Sequence, residues 1–105
     1  MTTSAQTAAP LSEHARKRLR ALGHALKPVI LIGEKGVSDS LLAECERALT
    51  HHELLKIKAR GRDKQTRDSL FGAVCDATGA VLVQRIGSVG LIYRPNPEQP
   101  RIDVS

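Results

Sequence analysis

The apolar positions of this chain alternate between a helical period and a strand period from residue 11 to residue 94. Ser12 is a good N-cap for a first helix. The stripe predicted to be buried comprises Ala15, Leu19, Leu22 and Leu26, with Lys17, Arg20 and His24 on the opposite face. Pro28 ends this helix, and the four consecutive apolar residues 29–32 predict a short strand that is covered on both sides.

The same alternation of helix and strand continues to residue 60. Ser38 is expected to cap a second helix, whose buried stripe comprises Leu41, Leu42, Cys45, Ala48 and Leu49. Residues 55–60 then alternate between apolar and basic side chains. This pattern predicts a strand with a cationic face formed by Lys56, Lys58 and Arg60.

A third helix and two further strands complete the predicted domain. The helix is expected over residues 64–78, with Gly79 at its C′ position and an inward stripe of Leu70, Phe71, Val74 and Ala77. Residues 80–86 and 89–93 predict strands, and Gly87-Ser88 between them favours a type II′ hairpin. The order α-β-α-β-α-β-β predicts an α/β fold, a single two-layer domain with a mixed four-stranded sheet packed with helices.

The two ends of the chain differ in composition from its middle. Residues 1–10 predict a disordered lead and residues 95–105 an extended tail, which leaves 11–94 as the folded domain. The N-terminus does not resemble a signal peptide, and no apolar stretch reaches membrane-spanning length. Cys45 and Cys75 do not form a secreted disulfide framework. We therefore expect a cytoplasmic monomer without a membrane partner.

Lys and Arg outnumber Asp and Glu by 16 to 11, and the net charge of +5 favours anionic partners. Eleven of these cations fall within residues 16–27 and 56–67, which contain a single acid, Asp63. A solvated surface explains part of this excess, but six cations within the second window favour a surface that follows phosphates. The candidate contacts are Lys17, Arg20, Lys27, Lys56, Lys58, Arg60, Arg62, Lys64 and Arg67.

The turn Gly33-Glu34-Lys35-Gly36 joins the first predicted strand to the second helix. Two glycines allow a phosphate to approach the backbone, and Lys35 and the N–H groups of the helix N-terminus attract it. The spacing is neither that of a P-loop nor that of a dinucleotide-binding motif. Acidic Glu34 would repel a phosphate unless its side chain points away, and an ordinary tight connection is the alternative interpretation.

Neither a metal site nor a catalytic centre is predicted. The adjacent residues His51 and His52 point in different directions and lack ligand-like spacing to the cysteines. No Ser–His–Asp, Cys–His or paired-carboxylate arrangement can be recognised, so we expect neither an enzyme nor a cofactor. With no Trp and only Phe71 and Tyr93, the chain also lacks the exposed rings on which common RNA-recognition sheets stack bases.

Several short motifs occur in the order found in one known family. Over about residues 12–95 the chain resembles the YhbY family of bacterial RNA-binding proteins, which are stand-alone CRM domains. The motifs that carry this resemblance are Leu26-Lys27-Pro28-Val29, Gly33-Glu34-Lys35-Gly36-Val37, Leu42-Ala43-Glu44, His51-His52-Glu53-Leu54, Ile86-Gly87 and Leu91-Ile92-Tyr93-Arg94-Pro95.

The resemblance implies a fold like the C-terminal domain of translation initiation factor three. It also implies RNA contact through Gly33, Glu34, Lys35 and Gly36 and the neighbouring basic surface. The implied partners are precursor rRNA of the large ribosomal subunit and the particles that contain it, whose assembly the protein would assist. The residues alone leave three alternatives open: a DNA-binding protein, a small enzyme that acts on a phosphorylated metabolite, and a protein-interaction adaptor.

Overall fold

The computed structural model describes residues 11–27 and 30–102. Its helices are α1 (Glu13–Ala25), α2 (Asp39–His52) and α3 (Lys64–Thr78). Its strands are β1 (Ile30–Leu31), β2 (Leu54–Lys58), β3 (Val81–Ile86) and β4 (Val89–Tyr93). The predicted element order is confirmed, whereas the predictions for Pro28, Val29 and the lead at 1–10 lie outside the described residues.

The four strands form one mixed sheet in the order β1-β2-β4-β3. β1 and β2 are parallel, as expected for a strand–helix–strand unit. The connection from β2 through α3 to β3 leaves a gap of one strand, and β4 fills that gap antiparallel to both neighbours. Gly87 has a φ of 57°, which suits the predicted hairpin turn. The predicted mixed four-stranded sheet is therefore confirmed.

Helices cover both faces of the sheet, so the number of layers differs from the predicted two. α2 and α3 pack on one face over a core that contains Leu49, Leu55, Phe71 and Ile92. α1 packs on the other face, over a smaller cluster formed by Leu19, Leu54, Val83, Leu91 and Tyr93. A single helix cannot cover the whole second face, and Ile86 on that face remains 64% exposed.

Helix α1 buries a glycine where the sequence pattern predicts a leucine. Ala15, Leu19 and Gly23 are buried, whereas Leu22 is 42% exposed. A Cβ atom added at Gly23 would lie 2.7 Å from Cδ2 of Leu91, so the glycine permits close contact between helix and sheet. The prediction that Leu22 belongs to the buried stripe is wrong because it used the hydrophobicity of the side chains alone. Hydrophobicity does not reveal that the helix approaches the sheet most closely at Gly23.

Two other burial predictions are also wrong. Ile30 and Ile32 are buried beside α2, but Leu31 between them is 56% exposed. The second face of β1 is open because α1 packs on β2, β3 and β4 rather than on this edge strand. In α3, Ala77 is exposed and Thr78 is buried instead, with its hydroxyl donating to a backbone carbonyl of the preceding turn.

Residues 94–102, the described part of the segment after β4, have no regular secondary structure, but they are tied to the domain through Glu53. Glu53 follows α2, is fully buried and has a φ of 66°, which non-glycine residues seldom adopt. Its carboxylate accepts hydrogen bonds from the backbone N–H of Asn96 at 2.5 Å and from those of Arg101 and Ile102 at 2.8 Å each. The extended tail is therefore held along residues 96–102 by one buried side chain.

Candidate nucleic-acid interface

The glycine turn, Gly33–Gly36, follows β1 and is closed by a hydrogen bond of 3.0 Å from the Gly36 N–H to the Gly33 carbonyl. Gly36 has a φ of 72°, a left-handed conformation that favours glycine. Gly33 has no such requirement, and a Cβ atom added there would have no neighbour within 4 Å. Because Gly33 is needed neither for backbone conformation nor for packing, its main physical effect is to leave the backbone of the turn exposed.

The charged side chains of the turn are exposed. Glu34 and Lys35 occupy its two central positions, and both side chains reach into solvent. Helix α2 begins a few residues later, where the Ser38 hydroxyl accepts from the Leu41 N–H at 3.2 Å, as predicted. Asp39 already places a negative charge in the first turn of this helix. The turn itself is therefore better suited to hold a phosphate than the helix N-terminus.

Arg62 connects the glycine turn to the turn between β2 and α3. Its guanidinium donates to the carbonyl of Ile32 at 3.3 Å and to the carbonyl of Gly33. Arg67 in turn donates from Nη1 to the Arg62 carbonyl at 2.5 Å. Both arginines are predicted phosphate contacts, but in the structure they bind backbone carbonyls. Their geometry is that of groups that position the glycine turn.

A groove of 490 Å³ separates these two turns, and we call it the turn groove. Its lining includes Gly33, Glu34, Arg60 and Arg62. Arg60 is exposed after β2, and Lys64 is exposed at the first position of α3. The fold thus brings the glycine turn together with the basic residues that the sequence places some 30 positions later.

Besides Glu34, the acid Asp63 accompanies the cations of this region. The Asp63 carboxylate caps α3 by accepting from the Thr66 N–H at 2.8 Å. Hydrogen bonds from the side chain and then the backbone of Thr66 lower the pKa of Asp63, and the nearby charge of Arg67 lowers it further. Asp63 is therefore ionised at neutral pH and offsets part of the positive potential around the turn groove.

The other predicted contacts lie on the face that carries α1. Lys58 is the neighbour of Leu31 in the parallel register of β1 and β2. Lys56 donates from Nζ to the carbonyl of Leu26, the C-cap residue of α1, at 2.6 Å. This bond makes Lys56 a structural residue as well as a cation on the surface.

The three cations of the first window have different positions. Arg20 lies 3.7 Å from the Glu13 carboxylate in an ion pair at the surface. Lys27 is exposed just after α1. Lys17 is exposed on the outer surface of α1, two positions from both Ala15 and Leu19, which face the sheet. The structure therefore does not bring Lys17 to the glycine turn or to the sheet.

The sequence pattern missed the structural role of Arg16. Arg16 belongs to the first basic window, but its Nη1 donates to the carbonyls of Leu82 and Val83 at 3.2 and 2.9 Å. These carbonyls lie where a bulge interrupts the pairing of β3 with β4. No local signal distinguishes Arg16 from its basic neighbours, because its partners lie more than sixty residues away.

The described residues offer little for catalysis. Among 11–27 and 30–102, no group of three or more His, Cys, Asp and Glu side chains could hold a metal ion. Burial raises the pKa of the Cys45 and Cys75 thiols to about 11, so both are protonated and weakly nucleophilic near neutral pH. Glu34 is exposed and lacks the burial that tunes a general acid or base. No helix in the described part of the chain could span a membrane.

The structure is that of a small mixed α/β domain with an exposed glycine turn between two basic segments of the chain. Residues 11–94 match the CRS1 / YhbY (CRM) domain, and the chain belongs to this family. The family resemblance stated from the sequence motifs is therefore confirmed.

Individual relatives agree with the family match. Over 88 residues the chain is 40% identical to a Pseudomonas aeruginosa protein named "Probable RNA-binding protein", and the match covers 84% of this chain and 85% of that protein. It is 41% identical over 88 residues to a Haemophilus influenzae protein named "RNA-binding protein", covering 84% of this chain and 89% of that protein. The solution structure of a hypothetical Staphylococcus aureus protein has a TM-score of 0.72 at 29% identity, over 83% of this chain and 91% of that chain.

Proposed function

We propose that this protein binds RNA through a surface that begins at the glycine turn and follows the exposed cations around it. The observation that carries the proposal is the open backbone at Gly33, where an added Cβ atom would have no neighbour within 4 Å. Lys35 and Arg60 are exposed close to this backbone. The names of the two bacterial relatives support RNA rather than DNA as the polymer.

The glycine turn would bind one phosphate of the RNA, and the cations around it would bind the adjacent phosphates. Arg62 donates a hydrogen bond to the Gly33 carbonyl, which limits how the turn can rotate when a phosphate approaches. The Glu34 side chain is exposed and can rotate away from the phosphate. Because these contacts reach the backbone of the nucleic acid, recognition would depend on its shape more than on its sequence.

The electrostatic part of this proposal can be measured by a salt titration. The cations available to phosphates on this surface are Arg20, Lys27, Lys35, Lys58, Arg60 and Lys64. If about six phosphates of duplex RNA are neutralised, log affinity should fall against log salt with a slope of roughly −5. A nearly flat salt dependence would contradict the proposal, and stronger competition by duplex DNA of equal length would favour a DNA-binding function.

We further propose that the bound RNA is precursor rRNA of the large ribosomal subunit, and that the protein assists assembly of that subunit in the cytoplasm without catalysing a reaction. Membership of the CRM family supports this proposal, together with the motif resemblance to YhbY proteins. The protein should migrate with immature large subunits in a sucrose gradient and copurify with precursor rRNA. Protein confined to the light fractions, without enriched RNA, would contradict the ribosomal role.

A further inference from the structure

The face of the sheet that carries α1 contains a second groove, between this helix and the β3–β4 hairpin. We call it the helix groove. Its volume is 270 Å³, which lies just below the usual range for small-ligand pockets. The floor includes Ile86, Val89 and Leu91, and the rim includes Arg20, His24 and Lys56. A groove of this size can accept part of one nucleotide but is too small for a duplex.

The rim favours an anionic ligand. Of the residues that line the helix groove, none is Asp or Glu. The ion pair between Arg20 and exposed Glu13 spans 3.7 Å, and such surface pairs contribute little stability, so Arg20 can exchange Glu13 for a phosphate. Lys56 uses one N–H donor on the Leu26 carbonyl, and an ammonium group has three. The rim can therefore bind a phosphate without losing its internal hydrogen bond.

The floor favours a flat or apolar group. Ile86 is 64% exposed although it is a large apolar residue, and Val89 opposite it is only partly buried. Gly23 adds no side chain to the groove, and α1 packs directly against Leu91 there, so Leu91 closes the inner end of the groove. His24 is exposed at the edge, and His is among the side chains on which unpaired RNA bases stack. An apolar floor beside cations matches a base joined to its phosphate.

The two grooves lie along one strand. Arg60 lines the turn groove and Lys56 lines the helix groove, four residues apart along the β2 direction, which corresponds to about 13 Å. Lys58 lies between them and adjoins exposed Leu31, which also lines the turn groove. An RNA backbone that leaves the glycine turn along this face would therefore pass a cation before it reaches the helix groove.

We propose that the helix groove binds one unpaired nucleotide of an RNA whose backbone is held at the glycine turn. The preferred ligand is thus an RNA in which a duplex adjoins an unpaired nucleotide, rather than a continuous duplex. This inference rests on the proposed RNA-binding function and adds the structural class of RNA that the surface selects.

The test compares two hairpin RNAs of the same sequence, one fully paired and one with a single unpaired nucleotide beside the stem. The groove variant combines His24→Ala with Ile86→Ala, both at exposed positions. The control variant combines Leu22→Ala with His51→Ala, which removes an exposed apolar group and an exposed imidazole outside the helix groove. Circular dichroism melts establish that each protein is folded, and fluorescence anisotropy measures affinity.

The wild-type protein should bind the RNA with the unpaired nucleotide more tightly. The groove variant should lose about fivefold to tenfold in affinity for that RNA, keep its affinity for the paired RNA and thereby lose the preference. The control variant should match wild type on both RNAs. Equal wild-type affinities for the two RNAs, or equal losses of the groove variant on both, would overturn the inference while RNA binding itself stands.

A second measurement does not depend on substitutions. Amide NMR spectra of the wild-type protein are recorded with inorganic phosphate and with an unpaired RNA tetranucleotide. The tetranucleotide should shift the amides of His24 and Val89 as well as those of the glycine turn, whereas phosphate alone should not affect Val89. Shifts confined to the turn would overturn the inference about the helix groove. Failure of every RNA to bind would instead refute the proposed function, and this inference with it.

Discussion

The two ends of β2 use charge and backbone N–H groups in opposite ways. Before the strand, buried Glu53 accepts three N–H groups from the tail. After the strand, Arg60 and the glycine turn present cations and open backbone to solvent. The first end is an anion site that the protein fills with its own carboxylate. We propose that the second end presents its cations and exposed backbone to an external anion.

The two ends of β2 are expected to contribute differently to stability and to binding. The filled site stabilises the domain because charge-assisted hydrogen bonds to a buried carboxylate replace bonds to water. The open site contributes little packing, and a residue such as Gly33 can be changed there without a steric clash. Substitutions at the Glu53 end should therefore change the free energy of unfolding, and substitutions at the glycine turn should change RNA affinity.

The largest expected effect is that of Glu53→Ala. This change leaves three backbone N–H groups of the tail without their acceptor, so the free energy of unfolding should fall by about 3 kcal/mol or more. Urea denaturation followed by circular dichroism measures the loss. Glu44→Ala, an exposed position on α2, is the matched control and should stay within about 0.5 kcal/mol of wild type. A loss below about 1 kcal/mol for Glu53→Ala would show that other contacts hold the tail.

The next effect concerns binding. Gly33→Asp should weaken RNA affinity about tenfold, or about 1.4 kcal/mol, because it adds a side chain and a negative charge where a phosphate is proposed. Its stability should be unchanged because the added Cβ meets no atom within 4 Å. Filter binding and thermal melts measure the two quantities. Unchanged affinity in a folded Gly33→Asp protein would remove the turn from the mechanism.

Three companion variants sharpen that result. Gly33→Asn has the same shape without the charge and should lose less affinity. Gly72→Asp places the same side chain on α3, again with no atom within 4 Å of the added Cβ, and should bind RNA like wild type. Gly36→Asp is less informative because its φ of 72° adds backbone strain of about 1 kcal/mol to any effect on binding.

A smaller effect distinguishes a phosphate contact from a positioning residue. Arg60→Gln removes an exposed cation, so affinity should fall and the salt slope should decrease in magnitude by about 1. Arg62→Lys keeps the charge but cannot hold the carbonyls of Ile32 and Gly33 together. Its affinity should fall about threefold with an unchanged salt slope. A reduced slope for Arg62→Lys would make Arg62 a direct phosphate contact.

The smallest effect is that of Asp63→Asn. Removal of this negative charge should raise RNA affinity about twofold at neutral pH by strengthening the local positive potential. The pKa of Asp63 is lowered in the folded protein, so its ionised form stabilises the fold above the unfolded pKa. That contribution disappears as the pH falls from 3.8, the ordinary pKa of an Asp side chain, through the lower pKa of the folded state. Chemical denaturation across this acidic range should show that the free energy of unfolding falls less for Asp63→Asn than for wild type.

Local features of the fold were predictable from sequence because nearby residues determine them. Ser12 and Ser38 accept the N–H groups three residues ahead, as N-caps do. The alternating segment 55–60 forms or follows β2, and the Gly87 turn joins β3 to β4. The glycine turn was equally visible, since both its glycines and its position between strand and helix are local. Its role in RNA binding remains a prediction.

Features that depend on contacts between distant elements could not be predicted in the same way. Gly23 is buried because Leu91 packs against it, and no pattern within α1 reveals that partner. Arg62 has the same sequence surroundings as the exposed cations near it, yet it bonds to carbonyls about 30 positions earlier. Glu53 lies in a run of polar residues, and its partners come 43 to 49 positions later. The charge pattern of the sequence identifies the basic surface. Only the fold distinguishes the exposed cations from those that form hydrogen bonds to backbone carbonyls.

The position of β4 has a consequence for synthesis on the ribosome. This strand is central in the sheet but follows all the other strands along the chain. Until residues 89–93 leave the exit tunnel, β2 and β3 have no partner between them, and two strand edges stay unpaired. A nascent chain that stalls before this point would therefore expose strand edges that are prone to aggregation. The sheet can be completed only after β4 has been synthesised.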